Sequence, residues 1–483
     1  MKMCDERVML EKKKILIIGS GPAGMFAADE LVKQGYGNQA MIIDMGKSMK
    51  DRKCPQTKSC SCSVCDILEG EGGSGGFSDG KKTYSLSRGT QMEEIFDPEL
   101  EFCLDDIDKV IVEHGKDTGY WFTPVEGVPD FLEGSQFEFG SYPLRHIGSD
   151  GVRKFIINHS QHLRNEGVLI RTNAQATEIH KTDKGKFSTY VKNAEGYDTV
   201  IESDYVILAT GLQGSPWVEG WMRDQGISMT SGPAGIGMRL EAPEDVLAPL
   251  FDKFYDFKLV MEHDGLTFRS FCCNRNGYIV NENHRTMGVR NVNGHSYINP
   301  AKRSRSSNFA IICKVPERHE VCGSSLTPQE FVKTVAWNIN GMSGGHPVVQ
   351  LAEDFVSRQP STDVGIQNSG AEWTNRMSRS GHDAGSLMPL GLREGFSLFL
   401  KELDRVLDGR VFSGGGLIYA PEVKYYGKKA NVNFRTWESF DYADLYVAGN
   451  ASGYLDSFVS AALTGVVTAR DIVEKLKEDA NNG

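Results

Sequence analysis

The feature that most constrains this chain is a glycine turn set between two apolar runs. Ile15-Leu16-Ile17-Ile18 is continuously apolar, as in a strand buried on both faces of a parallel sheet. It leads directly into Gly19-Ser20-Gly21-Pro22-Ala23-Gly24, a full G-x-G-x-x-G. An amphipathic segment follows to Leu31-Val32, and Gly35 and Gly37 are its stops. A second apolar run, Met41-Ile42-Ile43, then ends in Asp44, 20 residues after Gly24. Strand, glycine turn, helix, strand and acid in this order predict a dinucleotide-binding unit. Gly19 permits the tight turn, Gly21 lets the backbone approach a diphosphate, and Gly24 allows close helix–strand packing. The helix starting near Pro22, with Ala23 in its first turn, aims free N–H groups at the phosphates. Asp44 is placed to accept hydrogen bonds from ribose hydroxyls.

Later segments separate one dinucleotide from another. Gly70-Glu71-Gly72-Gly73-Ser74-Gly75-Gly76-Phe77-Ser78-Asp79-Gly80-Lys81 is a glycine/serine loop. Asp204 to Leu208 is a buried-strand pattern running into Ala209-Thr210-Gly211, and Ala174 to Ile179 precedes it as a strand. Leu445-Tyr446-Val447-Ala448-Gly449-Asn450 reads as a last strand and turn, followed by a helical stretch from Ser457 to Leu476. In this order the segments resemble the glutathione-reductase-like class of FAD proteins. The resemblance implies that residues Gly72, Gly73, Ser74, Gly75, Gly76, Phe77 and Ser78 wrap the pyrophosphate and approach the flavin. It implies that Ala209, Thr210 and Gly211 pass beside FAD, and that the strand holding Ala176 contacts adenine. Gly449 and Asn450 close the site, and the helix opened by Ser457 and Phe458 aims its N-terminus at the pyrimidine edge of the flavin.

A narrower similarity rests on Gly72 to Lys81, on Arg269-Ser270-Phe271-Cys272-Cys273 and on Ala420-Pro421-Glu422-Val423-Lys424-Tyr425-Tyr426. These resemble the family of FAD-dependent dehydrogenases, which implies a flavoprotein fold and supplies no substrate. Asp383-Ala384-Gly385 and Tyr454-Leu455-Asp456 depart from the more glycine-rich stretches expected there, leaving the flavin-face contacts at those positions open.

With signatures at both ends of 483 residues, the nucleotide domain must be discontinuous. The expected fold is α/β: a Rossmann-like three-layer FAD/NAD(P)-binding domain, residues 1–235 and 374–483, with an inserted strand-rich substrate or cap domain, residues 236–373. Phe257 to Met261 and Phe309 to Ile312 read as strands of the insert, Pro328 to Asn338 as a helix, and Asp97 to His114 as a helix of the first half. Gly232-Pro233-Ala234-Gly235-Ile236-Gly237 has no buried strand before it and no helix after it, so it reads as the crossing into the insert rather than as a second nucleotide site. NAD(P)H is then expected only as a transient donor.

The formal charge of −11 argues against a broad nucleic-acid or anionic-membrane surface, although Lys302, Arg303 and Arg305 form a local basic patch. No run approaches the ~20 apolar residues of a membrane span, and the charged start lacks an apolar signal core, so a cytoplasmic location is expected by default. Cys54, Cys60, Cys62 and Cys65 crowd into 12 residues beside the glycine loop. Their spacing leaves three readings open: a zinc or iron–sulfur site, redox-active thiols, or free structural cysteines. Of the adjacent Cys272 and Cys273, at most one can face the flavin if they lie on a strand, and burial is the favoured reading of both. His346, His382 and Arg393 are candidates for acid/base work or an anion clamp, because glycine-rich loops surround the two histidines. The leading reading is hydride transfer between an organic small-molecule substrate and the N5 position of FAD. The alternatives are an electron-transfer flavoprotein serving a protein partner through a Cys54–Cys65 metal centre, and an RNA-acting flavoprotein, against which the acidic charge weighs.

Overall fold

The computed structural model describes residues 9–54, 65–87, 90, 95–115, 119–124, 127–193, 196, 198–232, 234–284, 287–316 and 326–482. A five-stranded parallel sheet runs in the order Leu445–Val447, Tyr205–Leu208, Ile15–Ile18, Ala40–Ile43, Leu169–Arg171. Its central strands are fully buried, as the unbroken apolar runs require. Helices Pro22–Lys33 and Phe458–Asn482 pack together, so the two ends of the chain meet in one layer. A second, four-stranded sheet holds Met9–Lys12, Asp198–Ser203, Phe187–Asn193 and Ala174–Lys181. With the helices it completes three layers around one apolar core, as expected.

The remaining chain builds a seven-stranded antiparallel sheet in the order Val348–Leu351, Leu417–Lys424, Ala234–Pro243, Ser306–Val315, Leu266–Asn274, Lys258–His263, Glu138–Gly140. Alternation decides which face is apolar. In Ala234–Pro243, residues Ile236, Met238 and Leu240 enter a core shared with helices Pro328–Met342 and Leu390–Val406. Arg239 and Glu241 point to the opposite face, which the hairpin Tyr278–His284/Val289–His295 covers. The strand-rich layer therefore extends beyond residues 236–373. Leu417–Lys424, Glu138–Gly140 and the helix Leu390–Val406 all belong to it, because the chain crosses between the two units more than twice. Ala234 does begin its strand at the expected crossing. Among the described residues no helix is long and apolar enough to cross a membrane.

The covered polar face buries charge only in pairs, with one exception. Arg239 meets Glu422 through two bonds of 2.8 Å, both side chains being fully buried. Glu241, equally buried, accepts from Tyr419 Oη at 2.5 Å and from the Thr374 hydroxyl, with no ion pair among the described residues. Burial raises its carboxyl to about 7. A folded value above the ordinary 4.5 means that the folded state holds its proton longer than the unfolded chain. Stability should therefore fall as pH rises from about 4.5 to 7 and level off above that. Urea unfolding of the wild type and Glu241→Gln across this range checks it. The wild type should lose up to about 3 kcal/mol relative to the variant, which cannot ionise.

Candidate functional site

The turn after Ile15–Ile18 is shaped by contacts that exclude a side chain. Gly19 has φ +109, and a Cβ there would lie 2.3 Å from the Ala209 carbonyl oxygen. At Gly24 a Cβ would lie 2.0 Å from the Gly19 carbonyl oxygen. Gly21 differs: its nearest neighbour would be Gly73 Cα at 3.9 Å, so it borders open space. The tight turn and the close packing expected from spacing have their contacts at Gly19 and Gly24, while Gly21 leaves room beside Gly73. Helix Pro22–Lys33 starts at Gly21 with proline in its first turn and no side-chain cap, leaving its N-terminus free for an anion. Asp44 fixes the turn from the next strand: Oδ2 accepts from Ser20 N at 2.9 Å and Ser20 Oγ at 2.7 Å, and Oδ1 from Gly46 N at 2.9 Å.

The glycine loop is held by a residue that the sequence analysis did not single out. Arg52 is fully buried, and its guanidinium donates to the carbonyls of Asp66 (2.8 Å), Ile67 (2.9 Å), Glu71 (2.6 Å) and Gly73 (2.9 Å). Burial lowers its pKa to about 10, still charged at neutral pH. The loop consequently curls so that Gly73 faces Gly21, with Ser74–Phe77 as one short 3-10 turn. No motif betrays Arg52; an arginine ahead of a glycine-rich loop with many unpaired carbonyls is the only available signal.

A cavity of about 710 Å³ runs from this turn to the polar end of the seven-stranded sheet. At the near end it is lined by Gly19, Gly21, Pro22, Ala23, Asp44, Gly73 to Gly75, Phe77 and Ser78. Ala176, Ala209 to Gly211, Gly449, Asn450, Ser457 and Phe458 complete the wall. Gly24, Gly72 and Gly76 do not line it; Gly72 packs against Ile156 and Gly76 against Met49. Buried polar atoms of the lining lack partners: Thr210 Oγ1, both amide atoms of Gln213, and Asn450 Oδ1. Buried polar groups are almost always satisfied, so these four atoms can hydrogen-bond with a polar ligand in the cavity. Helix Phe458–Asn482 ends at this wall, with Ser457 Oγ accepting from Ser460 N at 3.0 Å.

Residues 12–220 match the family model described as FAD binding domain. The chain carries an FAD-binding domain. The glycine turn, the N-terminus of helix Pro22–Lys33 and the orphaned polar atoms fit that cofactor. The match is to FAD binding as such and does not single out the glutathione-reductase-like class. An uncharacterized protein of Clostridium beijerinckii is 24% identical, the alignment covering 96% of this chain and 81% of the relative. Among solved structures, a flavoprotein/dehydrogenase from Cytophaga hutchinsonii shares 14% identity at TM-score 0.41, covering 97% of this chain and 79% of that one. The p-nitrophenol 4-monooxygenase PnpA from Pseudomonas putida shares 10% at TM-score 0.40, with coverages of 96% and 80%.

The far end of the cavity is a charged wall. Lys81 Nζ lies 2.9 Å from Asp79 and 3.2 Å from Asp256, and Asp256 also binds Lys258 at 2.5 Å. Burial would raise the Asp79 carboxyl, but Lys81 and His146 outweigh it and hold it at about 2. Glu282 accepts from Asn293 Nδ2 at 2.7 Å and lies 3.4 Å from His284. Cys272, with φ +50, sits in a bulge that turns its thiol to the cavity, 3.6 Å from Asp79, whereas Cys273 is fully buried. Burial and the Asp79 charge push the Cys272 pKa up, so it stays a thiol. Behind Phe458, the Lys82 ammonium lies 3.4 Å from the ring centroid with no hydrogen-bond partner, and burial lowers it to about 7.

The three catalytic candidates are not brought to this cavity. Arg393 is clamped to Asp383 at 2.8 Å and to the Phe355 carbonyl at 3.3 Å on helix Leu390–Val406. His346 lies between helix Pro328–Met342 and strand Val348–Leu351, its carbonyl bound by Ser343 and Asn340, and His382 lies in the loop before Asp383. None lines the cavity wall. Asp456, in a segment left open by the sequence, does line it and accepts from Tyr426 Oη. Of the four clustered cysteines, Cys60 and Cys62 lie outside the described residues, while Cys54 is partly buried and Cys65 buried. A different set, Asp29, His114 and His162, offers ligand atoms within 4.8 Å of one another away from the cavity, although Asp29 is already bound by Lys33 at 2.7 Å and His159 at 3.1 Å.

Two variants separate ligand space from packing. Gly21→Ala should fold with nearly wild-type stability and lose FAD, because its Cβ occupies the approach path alone. Gly24→Ala should fail to accumulate as folded protein, because its Cβ meets backbone. Thermal melts with bound-flavin absorbance test both. Arg52→Lys should keep the fold but retain FAD at least about tenfold more weakly, since a point charge cannot reach four carbonyls; fluorescence titration of the apoprotein with FAD measures this.

Proposed function

We propose that this chain is an FAD-dependent oxidoreductase that moves a hydride between an organic small-molecule substrate and the flavin. One observation supports it above the others. A single cavity joins a dinucleotide cradle to a wall of paired charges on the strand-rich sheet. FAD, when bound, supplies the redox chemistry through its isoalloxazine ring.

The chain's own residues bind and orient. Gly21 and the N-terminus of helix Pro22–Lys33 take the diphosphate, Asp44 the ribose, and Thr210, Gln213 and Asn450 the remaining polar groups of the cofactor. The N-terminal end of helix Phe458–Asn482 would favour negative charge placed beside it by about 0.3–2 kcal/mol. Phe271 and Tyr426 close the far wall beside Lys258, Lys424 and Asp456. Among the described residues, no second strand–glycine-turn–helix unit is present for NAD(P)H, so a separate donor or acceptor completes the cycle.

The purified protein should be yellow, release FAD on denaturation, and bleach under anaerobic conditions when given a competent organic donor. Asp44→Ala should lower FAD affinity about tenfold or more. A colourless protein that FAD cannot reconstitute rejects the proposal. A flavin that no organic donor, NADH or NADPH reduces leaves FAD binding standing and rejects the oxidoreductase.

A further inference from the structure

The charges at the far wall do not all cancel. Strand Leu266–Asn274 alternates, with Phe268 and Ser270 buried and Arg269 and Phe271 turned to the cavity. Three cations surround the Phe271 ring: Lys424 Nζ at 4.8 Å, Arg269 Cζ at 5.4 Å and Lys258 Nζ at 5.5 Å from its centroid. Lys258 is paired with Asp256, and Lys424 lies 3.1 Å from Glu422. Lys81 has Asp79, and Arg239 shares Glu422 with Lys424. Arg269 has none within 4.0 Å among the described residues, and its Nε is buried without a hydrogen-bond partner. The neighbouring acid, Asp456, is engaged by Tyr426 Oη.

An arginine that lines a cavity with an unsatisfied guanidinium edge is costly unless a ligand completes it. The guanidinium fork matches a carboxylate through two parallel bonds, a geometry that lysine cannot reproduce. Its surroundings strengthen the preference. Burial, followed by the charges of Arg269 and Lys429, pushes the Lys314 pKa down, against the opposing charge of Asp456. Phe271 supplies apolar surface next to that charge, and Tyr425 and Tyr426 line the same cavity.

We propose that Arg269 binds the carboxylate of an organic acid substrate, with the remainder of the molecule lying along Phe271 toward the cofactor cradle. This rests on the flavin reading above and adds to it a substrate class. Arg269 is assigned to the substrate rather than to the cofactor diphosphate, because it stands on the sheet wall and not in the glycine turn.

The test uses the full-length protein with its bound FAD and four probes: benzoate and phenylacetate, with benzamide and phenylacetamide as their uncharged counterparts. Binding is followed by perturbation of the flavin spectrum and by calorimetry. At least one acid should bind about tenfold or more tightly than its amide. Arg269→Met should abolish that preference while keeping wild-type FAD content, and Arg269→Lys should restore it in part. Equal binding of acids and amides, no binding of either acid, an unchanged preference in Arg269→Met, or loss of FAD from that variant overturns the proposal. A wild-type preparation without FAD strikes the flavin reading instead. Calorimetric preference for the acid, lost in Arg269→Met, is measured independently of the flavin signal and decides Arg269 separately.

Discussion

Everything at the nucleotide end depends on the absence of three Cβ atoms. Gly24 packs against the Gly19 carbonyl, and Gly19 against the Ala209 carbonyl, at distances that no side chain tolerates. These contacts bring strands Ile15–Ile18 and Tyr205–Leu208 and helix Pro22–Lys33 to a common point. The third missing atom, at Gly21, leaves space instead of filling it. A fold that removes backbone from water around such a gap leaves polar atoms stranded, and Thr210, Gln213 and Asn450 show where.

The second unit follows a different rule. Its sheet has one face packed with Ile, Met, Leu and Phe, and another that carries Arg239, Glu241, Glu422 and the cavity charges. Buried ions are tolerable when paired and hydrogen-bonded, and almost every one here is. The departures from pairing, Glu241 away from the cavity and Arg269 within it, are therefore informative. The first holds a proton; the second faces the space where a substrate would lie.

His346, His382 and Arg393 were reasonable candidates by residue type and loop context, yet the chain places them away from the cavity. What decides their position is antiparallel pairing over long sequence separations. Strand Leu417–Lys424 pairs with Ala234–Pro243, which sets Glu422 against Arg239 and draws Lys424 into the site, while Arg393 is carried to the back of the same sheet on its helix. Cys272 reaches the cavity through a bulge, a local break in alternation that its composition does not announce.

The sequence by itself determined the dinucleotide cradle, because the cradle is made of backbone and its requirements are local. The spacing of Gly19, Gly21, Gly24 and Asp44, and the apolar runs on either side, are properties of short segments. The signatures at both ends also announced a discontinuous domain, though not its limits. Only the tertiary structure decided the rest. Arg52 finds its carbonyls, Asp456 its tyrosine, and Arg269 its lack of a partner through contacts between segments remote in the chain. Charge pairing is a property of three-dimensional neighbours, and linear order carries no record of which carboxylate neutralises which cation.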